Sequence, residues 1–214
     1  MVKFDFDVAV IGGGSAGYAT ARTTSAAGKR TVVIESSEVL GGLCILRGCM
    51  PTKALLHAAD IRFQAKRSNI WGMDPGEIGF DFGKVMQRKA DMVEEFASYR
   101  RGQLKDGRFE LIRGLAQFSD PHTLKINNGE SITAGRIMIS TGSRVADLPL
   151  PELSQLDCIN SDDALELKSL PKSIIVLGGG AVALEFAQFF ARFDVEVTVL
   201  QRSAHILSDF DDDS

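Results

Sequence analysis

The stretch Asp7-Val8-Ala9-Val10-Ile11-Gly12-Gly13-Gly14-Ser15-Ala16-Gly17 decides the fold. Its apolar run is short and ends in three glycines, the pattern of a buried strand, and an alanine-rich helical run follows. The same arrangement returns 166 positions later as Ser173-Ile174-Ile175-Val176-Leu177-Gly178-Gly179-Gly180-Ala181-Val182-Ala183, with Gly14 matched by Gly180 and Gly17 by Ala183. A second apolar strand follows each copy, at residues 31–34 and 195–200. Each copy is thus a βαβ unit, for which parallel pairing and a right-handed crossover are the rule.

In the first copy each glycine of Gly12-x-Gly14-x-x-Gly17 has a physical reason. Gly12 permits the tight turn, Gly14 lets the backbone approach a pyrophosphate, and Gly17 lets helix and strand pack closely. The helix N-terminus at Ser15 and Ala16 offers N–H groups and a positive dipole end to phosphates. Glu35, at the end of the second strand, would accept hydrogen bonds from an adenosine ribose. The plain alternative is a glycine turn that only packs a βα junction. In the second copy, Gly178, Gly180 and Val182 repeat the turn, and Ala183 stands where the fingerprint tolerates alanine. The acid position is Gln201, followed by Arg202. A carboxylate there would repel a 2′-phosphate, whereas a neutral amide beside a guanidinium accepts one, which favours NADPH over NADH; the alternative is that Arg202 is a solvated surface residue.

The 214 residues are 44% hydrophobic with a net charge of −4, which excludes a disordered chain and gives no basic footprint for nucleic acid. No uncharged apolar run is long enough to span a membrane. The opening residues carry Asp5 and Asp7 where a signal peptide needs an apolar stretch, so a cytoplasmic location is expected. Between the two copies, helices are predicted from Pro51-Thr52 to about Arg67 and around Phe82, Val85, Met86, Val93 and Phe96. Short strands are predicted at residues 109–118 and 123–126, with a hairpin turn at Asn127-Asn128-Gly129 and a further strand at residues 136–140. Pro149, Pro151 and the polar stretch to Pro171 read as a linker.

The other sharp signal is Gly41-Gly42-Leu43-Cys44-Ile45-Leu46-Arg47-Gly48-Cys49-Met50-Pro51-Thr52-Lys53. Two thiols five positions apart, in a turn that leads into a helix, can lie close enough to form a disulfide. Cys49 stands at or just before the helix N-terminus, where the dipole favours a thiolate, and Lys53 adds positive charge one turn on. Zinc would need two further ligands, and only Cys158, His57, His122 and His205 could supply them, so no metal is expected. Cys158 reads as an inert side chain and His57 as a helix-face residue.

Together these elements resemble the class I, FAD-dependent pyridine nucleotide–disulfide oxidoreductases, the family of dihydrolipoamide dehydrogenase, glutathione reductase and mercuric reductase. Ser140-Thr141-Gly142-Ser143 is similar to the family's Ser/Thr-Thr-Gly-Ser/Thr segment, and residues 178–185 to its second nucleotide fingerprint. The resemblance implies an FAD/NAD(P)-binding α/β fold: two Rossmann-like βαβ nucleotide-binding units with a small antiparallel β-meander. Residues 1–150 would be the N-terminal portion of the FAD-binding domain, and 151–214 a linker and the first βαβ unit of an NAD(P)-binding domain. It implies FAD held by the first fingerprint, Glu35, Gly42, Lys53, Ala116, Thr141 and Gly142, and NADPH or NADH held by the second, with Gln201 and Arg202. Cys49 would lie against the flavin and Cys44 would exchange with substrate. Lys53 and Glu185 match a pair beside the reactive edge of the flavin ring. Electrons would pass from NADPH through FAD to a Cys44–Cys49 disulfide, and Cys44 thiolate would then attack a small-molecule or protein disulfide. A mercuric reductase-like enzyme acting on Hg(II), or a nucleotide-binding module without redox chemistry, are the alternatives.

Three departures from the family pattern stand out. Leu43 replaces a threonine before the first cysteine, and Arg47 replaces a small apolar residue between the two. Family members are also roughly twice as long, beyond the ~150 residues of a typical domain. The rest of the nicotinamide unit, a dimer-interface domain and its acid/base pair are therefore expected outside this chain, with the full-length form a homodimer.

Overall fold

Strand β1 (Phe6–Ile11) leads through the glycine turn into α1 (Ser15–Ala26) and back to β2 (Thr31–Glu35). Then follow α2 (Leu43–Leu46), α3 (Cys49–Lys66), α4 (Phe82–Leu104), β3 (Glu110–Arg113), β4 (Ala116–Asp120), β5 (Thr123–Ile126) and β6 (Ser131–Ile139). The chain ends with α5 (Ser161–Ala164), β7 (Ser173–Leu177), α6 (Ala181–Arg192) and β8 (Glu196–Leu200). This computed structural model describes residues 3–146, 150–208 and 210–211; Pro149 of the predicted linker lies outside them. The chain divides into two units, Met1–Gly48 with Val93–Arg144 and Cys49–Met92 with Val145–Ser214.

In the first unit six strands lie in the order β3-β2-β1-β6-β5-β4. β3, β2, β1 and β6 run parallel, while β5 pairs antiparallel with both β4 and β6. The long β6 does both jobs: its first residues face β5 and its later ones pair with β1. It starts at Ser131 rather than at the predicted Arg136, because the Asn127-Asn128-Gly129 turn, with Gly129 at φ +96°, feeds it directly. Alternate side chains go to opposite faces. Ala9, Val32, Ile34 and Leu124 pack on one side, and Val10, Val33, Tyr18, Ala21 and Leu104 on the other. Covered on both faces, β2 reads as an unbroken run, Thr31-Val32-Val33-Ile34-Glu35, buried throughout. Each fully buried valine or isoleucine contributes about 1.5–3 kcal/mol.

The second unit repeats the βαβ motif with β7 and β8 parallel. α6 occupies the positions of α1 shifted by the same 166 residues, from Ala181 to Arg192. Its Phe186, Phe189 and Phe190 pack with Phe193 against Leu55 and Ala59 of α3 and Leu165 after α5. That packing groups α3 and the first half of α4 with the second βαβ motif, a grouping by contact that differs from a cut at residue 150. α3 begins at Cys49, two residues before the predicted start at Pro51. Proline is tolerated anywhere in a first turn, where the N–H groups have no helical acceptor. The predicted linker contains a helix, α5, closed by a capping box in which the Asn160 side chain accepts from the Asp163 amide and the Asp163 carboxylate from that of Asn160.

Candidate functional site

The first glycine turn lies where the strand order reverses, between β2 on one side of β1 and β6 on the other, the place where open α/β sheets bind ligands. Gly12 has φ +100°, and a Cβ there would fall 2.3 Å from the Ser140 carbonyl oxygen at the end of β6. A Cβ on Gly17 would fall 1.8 Å from the Gly12 oxygen, so α1 packs as closely on the turn as the sequence predicts. Thr141 and Gly142 follow β6, and a Cβ on Gly12 would lie 3.4 Å from the Thr141 Cα. α1 starts at its cap, Gly14, without a side-chain hydrogen bond, so among the described residues no side chain occupies the amides of its first turn.

Glu35 closes β2 and is 8% exposed. Its Oε2 accepts from the Gly13 amide at 2.7 Å and its Oε1 from the Ser37 amide at 2.8 Å. Burial pushes this carboxyl up, but the amides of Ser37 and Gly13 and the Arg113 guanidinium outweigh that and hold it below the usual carboxylate range. The sequence did not reveal this use of the side chain: Glu35 fixes the glycine turn from behind while each oxygen keeps a second acceptor site.

Gly42 brings the cysteine segment to the same place. It has φ +77°, and its Cβ would fall 2.4 Å from the Gly14 Cα. The next residues form α2, which carries Cys44. The chain then folds back so that a Cβ on Gly48 would sit 3.3 Å from the Cys44 Cα. Cys49 opens α3, and Cys44, Cys49 and Cys158 are all thiols. Cys49 and Cys158 are exposed, as is His57 on α3. Ala116 opens β4 and packs, like Ile11 and Ile137, against the cluster that contains Ala9, Ile34 and Ile126.

In the second unit the Lys53 ammonium donates to the Glu185 carboxylate, a pair that joins α3 to α6 across 132 residues of sequence. The second glycine turn matches the first in backbone: Gly178 has φ +109°, and Gly180 caps α6 at φ −80° where Gly14 caps α1 at φ −66°. Gln201 lies over Gly179, as Glu35 lies over Gly13, with its Cδ 3.0 Å from a Cβ built there. Its amide donates to the His205 carbonyl at 3.3 Å, and Arg202 and Val182 are exposed. Among the described residues nothing lies within 4 Å of a Cβ on Gly178 or Gly180, so this turn is open.

A cluster around Tyr18 escaped the sequence reading. Arg100 stacks 4.1 Å from its ring centroid, Arg22 lies 6.0 Å away, and Arg108 donates to its hydroxyl at 3.3 Å. Tyr18 and Arg22 belong to α1, Arg100 to the end of α4 and Arg108 to the connection that follows it, and no periodicity links segments 80 residues apart in sequence.

Two glycine turns, each at the carboxyl end of a parallel strand and opening a helix, define a protein built to hold dinucleotides. The chain belongs to the pyridine nucleotide-disulphide oxidoreductase family, whose sequence model matches residues 6–214. It is 35% identical over 218 residues to the dihydrolipoyl dehydrogenase of Geobacillus stearothermophilus, aligning 99% of this chain with 46% of that one. It is 34% identical to a mercuric reductase of Bacillus cereus, over 98% of this chain and 33% of the relative. The fold is similar to that of the HOCl-induced flavoprotein disulfide reductase RclA from Escherichia coli, with a TM-score of 0.81 at 32% identity over 97% of this chain and 44% of that one. The chain spans under half the length of these relatives. Among the described residues no helix is long and apolar enough to cross a membrane.

Proposed function

We propose that this chain is the nucleotide-binding and thiol-bearing part of an FAD-dependent NAD(P)H:disulfide oxidoreductase. One observation carries the reading: Gly42 packs on Gly14, which ties the Cys44 segment to the dinucleotide turn. The residues fit FAD, since the Gly12–Gly17 turn leaves its helix amides uncapped and Glu35 keeps acceptor capacity toward a ribose. Bound there, FAD would supply two-electron transfer between a nicotinamide and a disulfide. Gly12, Gly14, Ser15, Ala16, Gly17, Glu35, Gly42, Ala116, Thr141 and Gly142 would hold it, with residues 1–150 as its domain. Lys53, oriented by Glu185, would place a cation at the flavin's reactive edge. Cys49 would face the flavin, and Cys44 thiolate would exchange with the disulfide substrate.

Residues 151–214 would begin the nicotinamide unit. Gln201 in place of an acid, with exposed Arg202 next to it, favours NADPH over NADH. Arg202→Ala should raise the KM for NADPH by about tenfold, the worth of one charge-assisted hydrogen bond, and leave that for NADH unchanged. The whole enzyme would be a cytoplasmic homodimer. The similarity to mercuric reductase makes Hg(II), captured by the same thiols, the second acceptor to try.

The test is optical. Purified protein should carry or take up FAD, seen as a visible flavin spectrum, and two-electron reduction should produce a long-wavelength charge-transfer band. Cys49→Ser should abolish that band and keep the flavin. Protein that stays colourless with FAD in excess would refute the reading.

A further inference from the structure

We propose that Arg113 is a positioning residue for the adenosine end of FAD and acts through Glu35. It clamps the loop that leaves β2, so that the Glu35 carboxylate stays aimed at the ribose. This rests on the proposed FAD site and deepens it.

Arg113 ends β3 and stands opposite Glu35, the last residue of β2, in the parallel register. The Gly114 amide that follows donates to the Glu35 carbonyl at 3.0 Å, so the end of β3 fixes the Glu35 backbone. The Arg113 guanidinium holds the next stretch of chain. One of its Nη groups donates to the Ser37 carbonyl and, at 3.4 Å, to that of Glu38. Ser37 in turn donates its amide to Glu35 Oε1 at 2.8 Å. Ser37 is thus gripped on both sides, by its amide to Glu35 and by its carbonyl to Arg113.

The two anchors of the carboxylate differ in their own support. The Gly13 amide on Oε2 belongs to the glycine turn, where Gly12 and Gly17 pack tightly on backbone. The Ser37 amide on Oε1 belongs to a loop outside any helix or strand, exposed from Ser36 to Val39. A carboxylate held at one oxygen turns freely about its last, broad torsion, and one held at both does not. Burial weighs most against the ionised carboxyl, and among the influences that favour it the Ser37 amide ranks ahead of the Arg113 charge. Arg113 therefore serves Glu35 more through the loop than through its charge. A planar guanidinium meets both carbonyls from one rigid group, which a lysine ammonium on its flexible stem does less well.

The side chain has no packing task that would obscure this role. Arg113 is exposed and borders a hollow of about 470 Å³ with Leu104, Lys105, Phe109 and Leu111. Its truncation opens no cavity in the core, and water can reach the loop carbonyls that it leaves.

The test is a double-mutant cycle on FAD affinity, read from flavin fluorescence as FAD-free protein is titrated with FAD. Arg113→Met should weaken FAD binding about tenfold in the parent protein, the effect of one lost charge-assisted hydrogen bond. In the Glu35→Gln background the same change should cost less than about twofold, because a residue that acts through Glu35 has nothing left there to position. Arg113→Lys keeps the charge without the fork and should lose about threefold. Urea unfolding midpoints establish that each protein is folded, and Arg113→Gln repeats the comparison with a shorter, polar side chain. Equal losses in both backgrounds, or no loss in the parent, overturn the positioning role and leave the FAD site standing. A parent protein that binds no FAD overturns the site and the positioning role together.

Discussion

Gly42 rests on Gly14: a Cβ on Gly42 would stand 2.4 Å from the Gly14 Cα, an overlap of backbone that no rotamer relieves. The contact makes the phosphate-facing turn and the thiol segment one piece. In Gly42→Ala the left-handed φ of +77° costs about 1–2 kcal/mol, and the overlap forces the two segments apart as well. We expect a loss of about 2 kcal/mol or more in denaturant unfolding, together with weaker FAD uptake. Gly142→Ala is the control, with a similar φ of +73° but open space among the described residues around the new methyl group. It should lose only the conformational part.

Lys53 and Glu185 form an ion pair whose side chains are 58% and 32% exposed, so its worth to stability is small. Lys53→Met and Glu185→Gln should each change unfolding free energy by less than about 1 kcal/mol. If the pair serves the flavin, both should slow reduction of bound FAD by NADPH about tenfold or more in stopped-flow traces. Lys53→Met should do more than Glu185→Gln, because the lysine is the group that faces developing charge. Equal rates in all three proteins would make the pair purely structural.

The βαβ repeat was legible because one glycine pattern occurs twice in the same register, and α1 and α6 accordingly cover matched residues. The Lys53–Glu185 pairing came from a resemblance and not from periodicity, since nothing local connects residues 132 positions apart. The second role of Glu35 was hidden for a different reason. Its acceptors serve backbone amides, and any residue supplies an amide, so sequence carries no mark of it. α5 had a readable signal, the Asn160-to-Asp163 capping box, but was masked by the prolines around it. The Tyr18–Arg100 stack depends on how α4 lies over α1, and side-chain spacing within either helix does not contain that.

Glu35→Gln separates turn support from charge. The glutamine can accept with only one side-chain oxygen, so either the Gly13 or the Ser37 amide faces an NH₂ group. A loss of about 1–3 kcal/mol is expected at neutral pH. Because the folded carboxyl is held below the ordinary value of 4.5, its contribution is present above that pH and fades on acidification. The gap between wild type and variant in urea unfolding should therefore narrow below about pH 4.5. A constant gap would mean that geometry alone accounts for it.

Asp194 gives a second and more acidic titration. It holds the turn after α6 at φ +64° and accepts from Arg62 at 2.5 Å and Lys66 at 2.8 Å, both on α3. Arg62 is 8% exposed and lies 4.7 Å from the Phe80 ring centroid and 5.7 Å from that of Phe193, and Asp194 is the counter-charge to this largely buried cation. Hydrogen bonds from Arg62 and then Lys66 pull the Asp194 pKa from 3.8 down to about 2. The shift is downward on folding, so the ionised form stabilises the protein above pH 3.8 and that contribution disappears as pH falls through about 2. Asp194→Asn keeps a residue that tolerates a left-handed φ, removes the charge and turns one of the two acceptor oxygens into an NH₂ group. The carboxylate is more than half exposed and solvent screens it, so a loss of only about 1 kcal/mol is expected at neutral pH. Between pH 3.8 and about 2 the two proteins should converge in thermal unfolding. Parallel curves across that window would show that Arg62 is held by its rings and by the Arg192 carbonyl, and not by Asp194.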